Sequence, residues 1–190
     1  VLDAIKSRRS IRKYKADEVP KEQLLKVLEA ANWAPSNGNI QSWSFVVTKG
    51  DAVDKVCKVF SDAMQEYIPN APYIPAEQKA GMLKYAEDFG GAPMHITVVY
   101  DTFEGDDEKT EKSMQAACAA IQNLMLAAWE EGLGTVWISG EVCSSPITRE
   151  VLALSDSQEI AAIVPIGFPD VSPAGTREDV TTKTKWIGFD

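Results

Sequence analysis

The sequence contains a single histidine, His95, so neither a histidine-based catalytic triad nor a multi-histidine metal centre can be assembled from it, and no metal site is expected. Cysteine is scarce too. Cys57, Cys118 and Cys143 are odd in number and lack a C-x-x-C spacing. With no secretory leader in the sequence, free thiols in a reducing cytoplasm are the expected state. No Gly-x-x-x-x-Gly-Lys-Ser/Thr run occurs, which excludes a P-loop. Gly132 and Gly134 lack the third glycine of a dinucleotide fingerprint, since Trp137 stands in its place. They also follow a helical pattern and precede a strand pattern, the reverse of a Rossmann unit. The most apolar run, Ala116 to Trp129, includes Gln122 and Asn123 and is too short to cross a bilayer. Basic character is lacking overall, with 19 Lys and Arg against 28 Asp and Glu and a net charge of -9. Nucleic acid and anionic membrane are therefore not expected partners.

What is present fits one α+β domain spanning residues 1–190, with 45% hydrophobic and 25% charged residues. Proline at the start, Glu22 near the positive helix end and Leu24, Leu28 and Ala31 on one face predict a helix from Pro20 to about Trp33. A turn-rich stretch, Ala34 to Asn39, ends it. Strands are predicted at Trp43 to Thr48, Met94 to Tyr100, Thr135 to Ile138 and Ile160 to Gly167. Further helices are expected from Asp51 to about Tyr67, Glu77 to Phe89, Glu111 to Glu131, and Pro146 to about Leu154. Three prolines between Ile68 and Pro75 argue against regular helix there, and the acidic residues Asp106, Asp107 and Glu108 read as a solvated loop. The 111–131 helix is apolar on nearly every side, so it belongs at the centre of the fold or in an interface. Trp186, Ile187 and Phe189 at the chain end suit an arm that packs on a partner subunit.

Against the acidic whole, residues 6 to 15 gather Lys6, Arg8, Arg9, Arg12, Lys13 and Lys15 without one acid. Such a stretch can hold a small anion, because the planar arginine fork binds phosphate through paired charge-assisted hydrogen bonds. Three other segments share its promise. They are Ala34-Pro35-Ser36-Asn37-Gly38-Asn39-Ile40-Gln41-Ser42-Trp43, Gly132 to Gly140, and Pro165-Ile166-Gly167-Phe168-Pro169 followed by Arg177.

These four segments, in this order and with the apolar helix between the second and third, resemble the nitroreductase family of flavin enzymes. The resemblance implies a four-stranded antiparallel sheet flanked by helices and a homodimer in which each C-terminal arm extends the partner's sheet. It implies FMN bound tightly between the subunits and NAD(P)H as electron donor, with nitroaromatics or quinones as typical acceptors in a ping-pong cycle. It places Arg8, Arg9 and Ser10 at the FMN, Arg177 at its phosphate and Arg12 near the pyrimidine end of the ring. Pro35, Ser36, Asn37, Asn39 and Gln41 correspond to a loop that reaches the flavin from the other subunit or holds its edge. Trp137, Ile138, Ser139 and Gly140 fall where backbone N–H groups face the reactive ring nitrogen. No catalytic side chain is required, since the flavin carries the hard step.

The sequence also departs from the family pattern. Many relatives carry proline and an acid near Ser139, and some carry a second cation where Gly175 stands, a role Lys183 or Lys185 could take. Deiodinases, flavin-destroying enzymes and azoline dehydrogenases share the scaffold, and segments 61–89 and 101–111, where substrate lids vary, do not discriminate among them. A non-catalytic dimeric flavin-binding protein is the remaining alternative.

Overall fold

The computed structural model describes residues 1–189. Its backbone is a four-stranded antiparallel sheet with helices on both faces, as expected from the resemblance. The strands are β1 (Trp43–Lys49), β2 (Met94–Asp101), β3 (Gly134–Thr135) and β4 (Gln158–Gly167), in spatial order β1-β2-β4-β3. The central pair, β2 and β4, is almost continuously buried, because helices cover both faces.

One face carries α2 (Lys21–Asn32) and α5 (Asp107–Glu130), packed over Ile96, Val98, Val164 and Ile166. Leu24, Val27 and Ala31 form the buried stripe of α2, at the spacing that sets one helical face. Ala116, Ala117, Ala120 and Ala128 keep α5 slim, while Ile121, Leu124 and Met125 fill the space beneath it. The other face carries α3 (Asp51–Asn70), α4 (Ala76–Asp88), α6 (Glu141–Ser144) and α7 (Pro146–Val151). There Phe60 and Phe89 stack at 4.5 Å, and His95 meets Phe89 edge-on at 5.1 Å. A short α1 (Leu2–Ser7) precedes them all, tied to the far end of α5 where Trp129 Nε1 donates to Ser7 Oγ at 2.8 Å.

Four boundaries differ from the sequence-based expectation, each for a physical reason. Helix α3 continues through Ile68 and Pro69 to Asn70. Proline removes one backbone donor, but Asn70 Nδ2 donates to the Glu66 carbonyl at 2.8 Å, and Ile68 is buried against Ala71 and Ile74. Helix α5 starts at Asp107, so the acidic run is its first turn and not a loop. Asp106 caps it by accepting from the Lys109 N–H at 2.9 Å, and Asp107 and Glu108 complement the helix dipole. Strand β3 ends at Thr135, and Ile138 rejoins β4 only through a bridge to Ile163. Pro165, which the same register sets opposite Val136, has no N–H to continue the ladder. Helix α7 also stops short, at Val151, because Ala153 turns left-handed.

Candidate functional site

Residues 8–14 leave α1 in an extended conformation and are stitched to the sheet end. Ser10 bridges Thr135, and the Ile11 N–H donates to the Thr135 carbonyl at 2.9 Å. Further along, the Tyr14 N–H donates to Gly90 O at 2.9 Å, and the Asp170 N–H donates to Lys13 O at 3.0 Å. The buried Tyr14 hydroxyl donates toward Ile11 O at 2.8 Å and Pro165 O at 3.2 Å. Burial pushes its pKa well above the ordinary phenol range, so it remains a neutral donor. Two glycines leave room for this segment. A Cβ at Gly134 would meet the Ile11 side chain at 2.7 Å, and one at Gly90 would overlap the Arg12 carbonyl. Gly90 also has φ of +75°, a conformation that favours glycine.

The segment brings cations together. Arg8 is half-buried, and its Nη1 is fully enclosed without a hydrogen-bond partner. Burial, then Arg177, then Arg9 draw its pKa below the usual arginine range. Arg9 Nη1 donates to Lys6 O at 2.8 Å and to Arg8 O at 2.9 Å, which fixes the guanidinium alongside Arg8. Arg177 Nη1 donates to its neighbour's carbonyl, Thr176 O, at 2.7 Å. Among the described residues none of the three arginines is in an ion pair. Lys183, by contrast, is paired with Glu178 at 2.7 Å. A desolvated guanidinium with an unused donor beside two like charges is costly alone and suits a compact multivalent anion such as a phosphate.

The remaining expected residues divide into two places. Trp137, Ile138, Ser139 and Gly140 run on from Thr135 along β4, away from the arginines, with Ile138 buried and Ser139 and Gly140 exposed. Arg12 is exposed and close enough to Tyr14 and Tyr85 to act on both phenols. Pro35, Ser36, Asn37, Asn39 and Gln41 lie elsewhere, in the loop between α2 and β1. Ser36 Oγ accepts from the Gln41 N–H at 3.0 Å. The loop leads directly into Ser42, whose Oγ accepts from Ser113 Oγ at 2.7 Å near the start of α5. The arginine end is tied to Trp129, about 24 Å further along α5 at the ~1.5 Å rise per residue. One chain therefore separates the two groups along most of its central helix.

The Nitroreductase family model matches residues 5–168, which spans the first three segments and stops short of Arg177. The chain belongs to the nitroreductase family. Among curated proteins, a Bacillus subtilis protein named as a candidate NAD(P)H nitroreductase is 31% identical, over 90% of this chain and 85% of its own length. Among solved structures, a nitroreductase-like family protein from Bacillus cereus superposes with a TM-score of 0.78 at 29% identity, covering 99% of this chain and 96% of that one. A protein from Desulfovibrio desulfuricans named as a candidate nitroreductase, solved in complex with FMN, is 30% identical with a TM-score of 0.73, covering 100% and 97% of the two chains. The nitroreductase family is one of oxidoreductases, and its members' flavoprotein fold is this one.

Sequence reasoning did not single out Tyr14, Gly90 or Gly134 as supports of the arginine segment. Their roles arise from contacts between distant parts of the chain, which no local sequence pattern records. Cys143, near the third segment, is a packing residue: it is buried, its Sγ lies 3.7 Å from Ile138 O, and burial pushes its thiol up to about 11. Two surface concavities lie away from the arginines. One of ≈ 850 Å³ runs between α2 and the end of β1, lined by Leu24, Leu25, Leu28, Val47, Pro93 and Met94 among others. Another, of ≈ 460 Å³, lies between α3 and the end of α4. Among the described residues no helix is long and apolar enough to cross a membrane.

Proposed function

We propose that this nitroreductase-family protein is a homodimeric FMN-dependent oxidoreductase that passes electrons from NAD(P)H to a small acceptor such as a nitroaromatic or quinone. The observation that carries this reading is the unpaired cluster of Arg8, Arg9 and Arg177 with the enclosed, unsatisfied Arg8 Nη1. A phosphate dianion satisfies it, and the FMN in the Desulfovibrio relative carries such a group. The residues fit the cofactor. Arg8, Arg9 and Arg177 hold the phosphate, and the Ser10 hydroxyl lies beside them on the same extended segment. Arg12 supplies a positive charge at the pyrimidine end, which favours the electron-rich form of the ring. The backbone at Ser139 and Gly140 approaches the reactive edge, with Gly140 at φ of +96°.

Bound FMN supplies the redox chemistry, accepting two electrons from NAD(P)H and delivering them to the acceptor. The chain need not supply a general base, because the flavin carries the hard step. His95, its one histidine, is 1% exposed, and burial holds its pKa down to about 4.

The same geometry supports the dimer. Because residues 35–41 sit far from their own arginines, they serve a flavin held by a second copy. The C-terminal arm points the same way: Trp186, Ile187 and Phe189 are exposed at 65%, 77% and 74%. Strand β1 is the open edge of the sheet, and the apolar groove between it and α2 matches those side chains in character.

The visible spectrum of the purified protein, before and after anaerobic addition of NADPH or NADH, tests the reading. A flavin band that bleaches on addition is the expected result. A colourless protein that also fails to take up FMN contradicts it, and a yellow protein that no nicotinamide bleaches leaves only a flavin-binding role.

A further inference from the structure

We propose that Lys109 and Lys112, on the face of helix α5 that meets the 35–41 loop, select electron acceptors carrying an anionic group, such as a carboxylated nitroaromatic. The inference rests on the FMN and dimer reading above, in which the loop serves a flavin held by a second copy.

The start of α5 is acidic in sequence and divided in space. Asp106, Asp107, Glu108 and Glu111 are exposed, whereas Lys109 and Lys112 are half-buried. The two lysines are three residues apart and so share one helical face. That face also carries Ser113, whose hydroxyl donates to Ser42 Oγ at 2.7 Å just after the loop. Lys109 and Lys112 line a recess with Ser36, Asn37, Ile40 and Phe103, and no carboxylate lines it. In a chain of net charge -9, the wall beside the loop is therefore positive.

Lys109 is a fixed cation. Its Nζ sits 3.8 Å from the centre of the Phe103 ring. Among the described residues it has no ion pair, while Lys112 is paired with Glu108. The ring beneath it is held in turn. The Phe103 N–H donates to Thr110 Oγ1 at 2.9 Å, and the Phe103 carbonyl accepts from the Asp106 N–H at 3.0 Å. An aromatic face attracts a cation without neutralising it, so Lys109 keeps its charge and its donors for a ligand. The recess has a volume of ≈ 10 Å³, too small to enclose one. It forms the inner wall of a site that the second copy's flavin completes. An acceptor whose ring lies over that flavin brings a carboxylate on its rim toward the two ammonium groups. The nicotinamide donor carries its phosphates a ribose away from its reacting ring, which matches a cation at this position less well.

The test compares 4-nitrobenzoate with 4-nitrobenzamide, its uncharged near-isostere, as acceptors for the FMN-loaded dimer. The ratio of their kcat/KM values should fall roughly 10-fold in Lys109→Gln and further in Lys109→Glu, the loss of one charge-assisted contact and then its reversal. Lys109→Arg should keep the parent ratio. Lys112→Gln should lower it less, because Lys112 is shared with Glu108. Binding is read without turnover from the shift of the flavin's visible band on titration with benzoate and with benzamide. Benzoate should bind the Lys109→Gln protein roughly 10-fold more weakly than the parent, with no such change for benzamide. A ratio that Lys109→Glu leaves unaltered, or benzoate binding indifferent to residue 109, overturns the proposal. A rise in the KM for NADPH with the acceptor ratio intact also overturns it, giving the lysines to the donor's phosphates. A protein that no nicotinamide bleaches contradicts the FMN reading instead, and a flavin-bearing monomer contradicts the dimer, which keeps the failures distinct.

Discussion

The two halves of the proposed flavin site are built in opposite ways. Residues 8–14 are pinned by backbone hydrogen bonds to β3, to Gly90 and to the stretch after β4, with Tyr14 buried as an anchor beneath them. Residues 35–41 are held by a pair of local side-chain bonds, Ser36 to Gln41 and Gln41 to Asn39, and expose all but one of their side chains. Asn39 and Gln41 both adopt positive φ, at 58° and 54°, without being glycine. A phosphate clamp has a fixed target and gains from being prebuilt, since binding then orders little. A loop whose target belongs to another subunit gains nothing from being finished before association. On the proposed reading, the difference means that one chain prebuilds the arginine end of the site, while the 35–41 loop meets its flavin only on assembly.

Removing the prebuilt half should have the largest effect. Arg8→Ala deletes the enclosed guanidinium and is expected to weaken FMN binding by roughly 100-fold or more, with Arg177→Ala close behind. Equilibrium dialysis against FMN reads both. If both variants purify yellow with unchanged affinity, the cluster is not the phosphate site and the contrast between the halves loses its basis.

Acid offers a second way to probe the pinned half. His95 pairs across the sheet with Pro165, whose carbonyl anchors Tyr14, and His95 also faces Phe89, next to Gly90. Its pKa falls from 6.5 to about 4 on burial, so the folded state excludes a proton that the unfolded chain accepts. Stability conferred by the neutral ring is complete above pH 6.5, declines between pH 6.5 and 4, and has no further to fall below that. The total is about 3 kcal/mol. Urea unfolding at pH 7 and pH 4.5 should show the loss in the parent and a smaller one in His95→Phe. Equal losses in the two would assign acid sensitivity to other groups.

The smallest effect should come from the loop. Gln41→Gly relieves a left-handed non-glycine residue and should raise unfolding stability by about 1 kcal/mol. If Gln41 also touches a partner's flavin, the same change should lower turnover. A rise in stability with turnover intact would reduce the loop to a mere connection between α2 and β1.

The contrast also explains what the sequence disclosed. Helix α2 and the central strands were legible because burial follows one period, as Leu24, Val27 and Ala31 do, or runs unbroken along a doubly covered strand. The start of α5 was not, because an acidic run reads as loop until Asp106 is seen capping it. The end of β3 depends on Pro165, a residue thirty positions away in another strand. At the site, the arginines stood out against an acidic chain, whereas Tyr14, Gly90 and Gly134 matter only through what they touch. Gly175, set aside as a missing cation, lies in the structure against the cation that takes up the space beside it.

The most direct test of the account is complementation between two defective chains. Arg8→Ala spoils the anion-binding half and spares the loop, while Asn37→Ala/Gln41→Ala does the reverse. Each homodimer should bind FMN poorly. Mixed dimers, formed by co-expression and isolated with two different tags, should regain one tight FMN site per dimer, built from the intact arginines of one chain and the intact loop of the other. Mixed dimers that bind no better than either parent would contradict the claim that each site draws its two halves from different subunits.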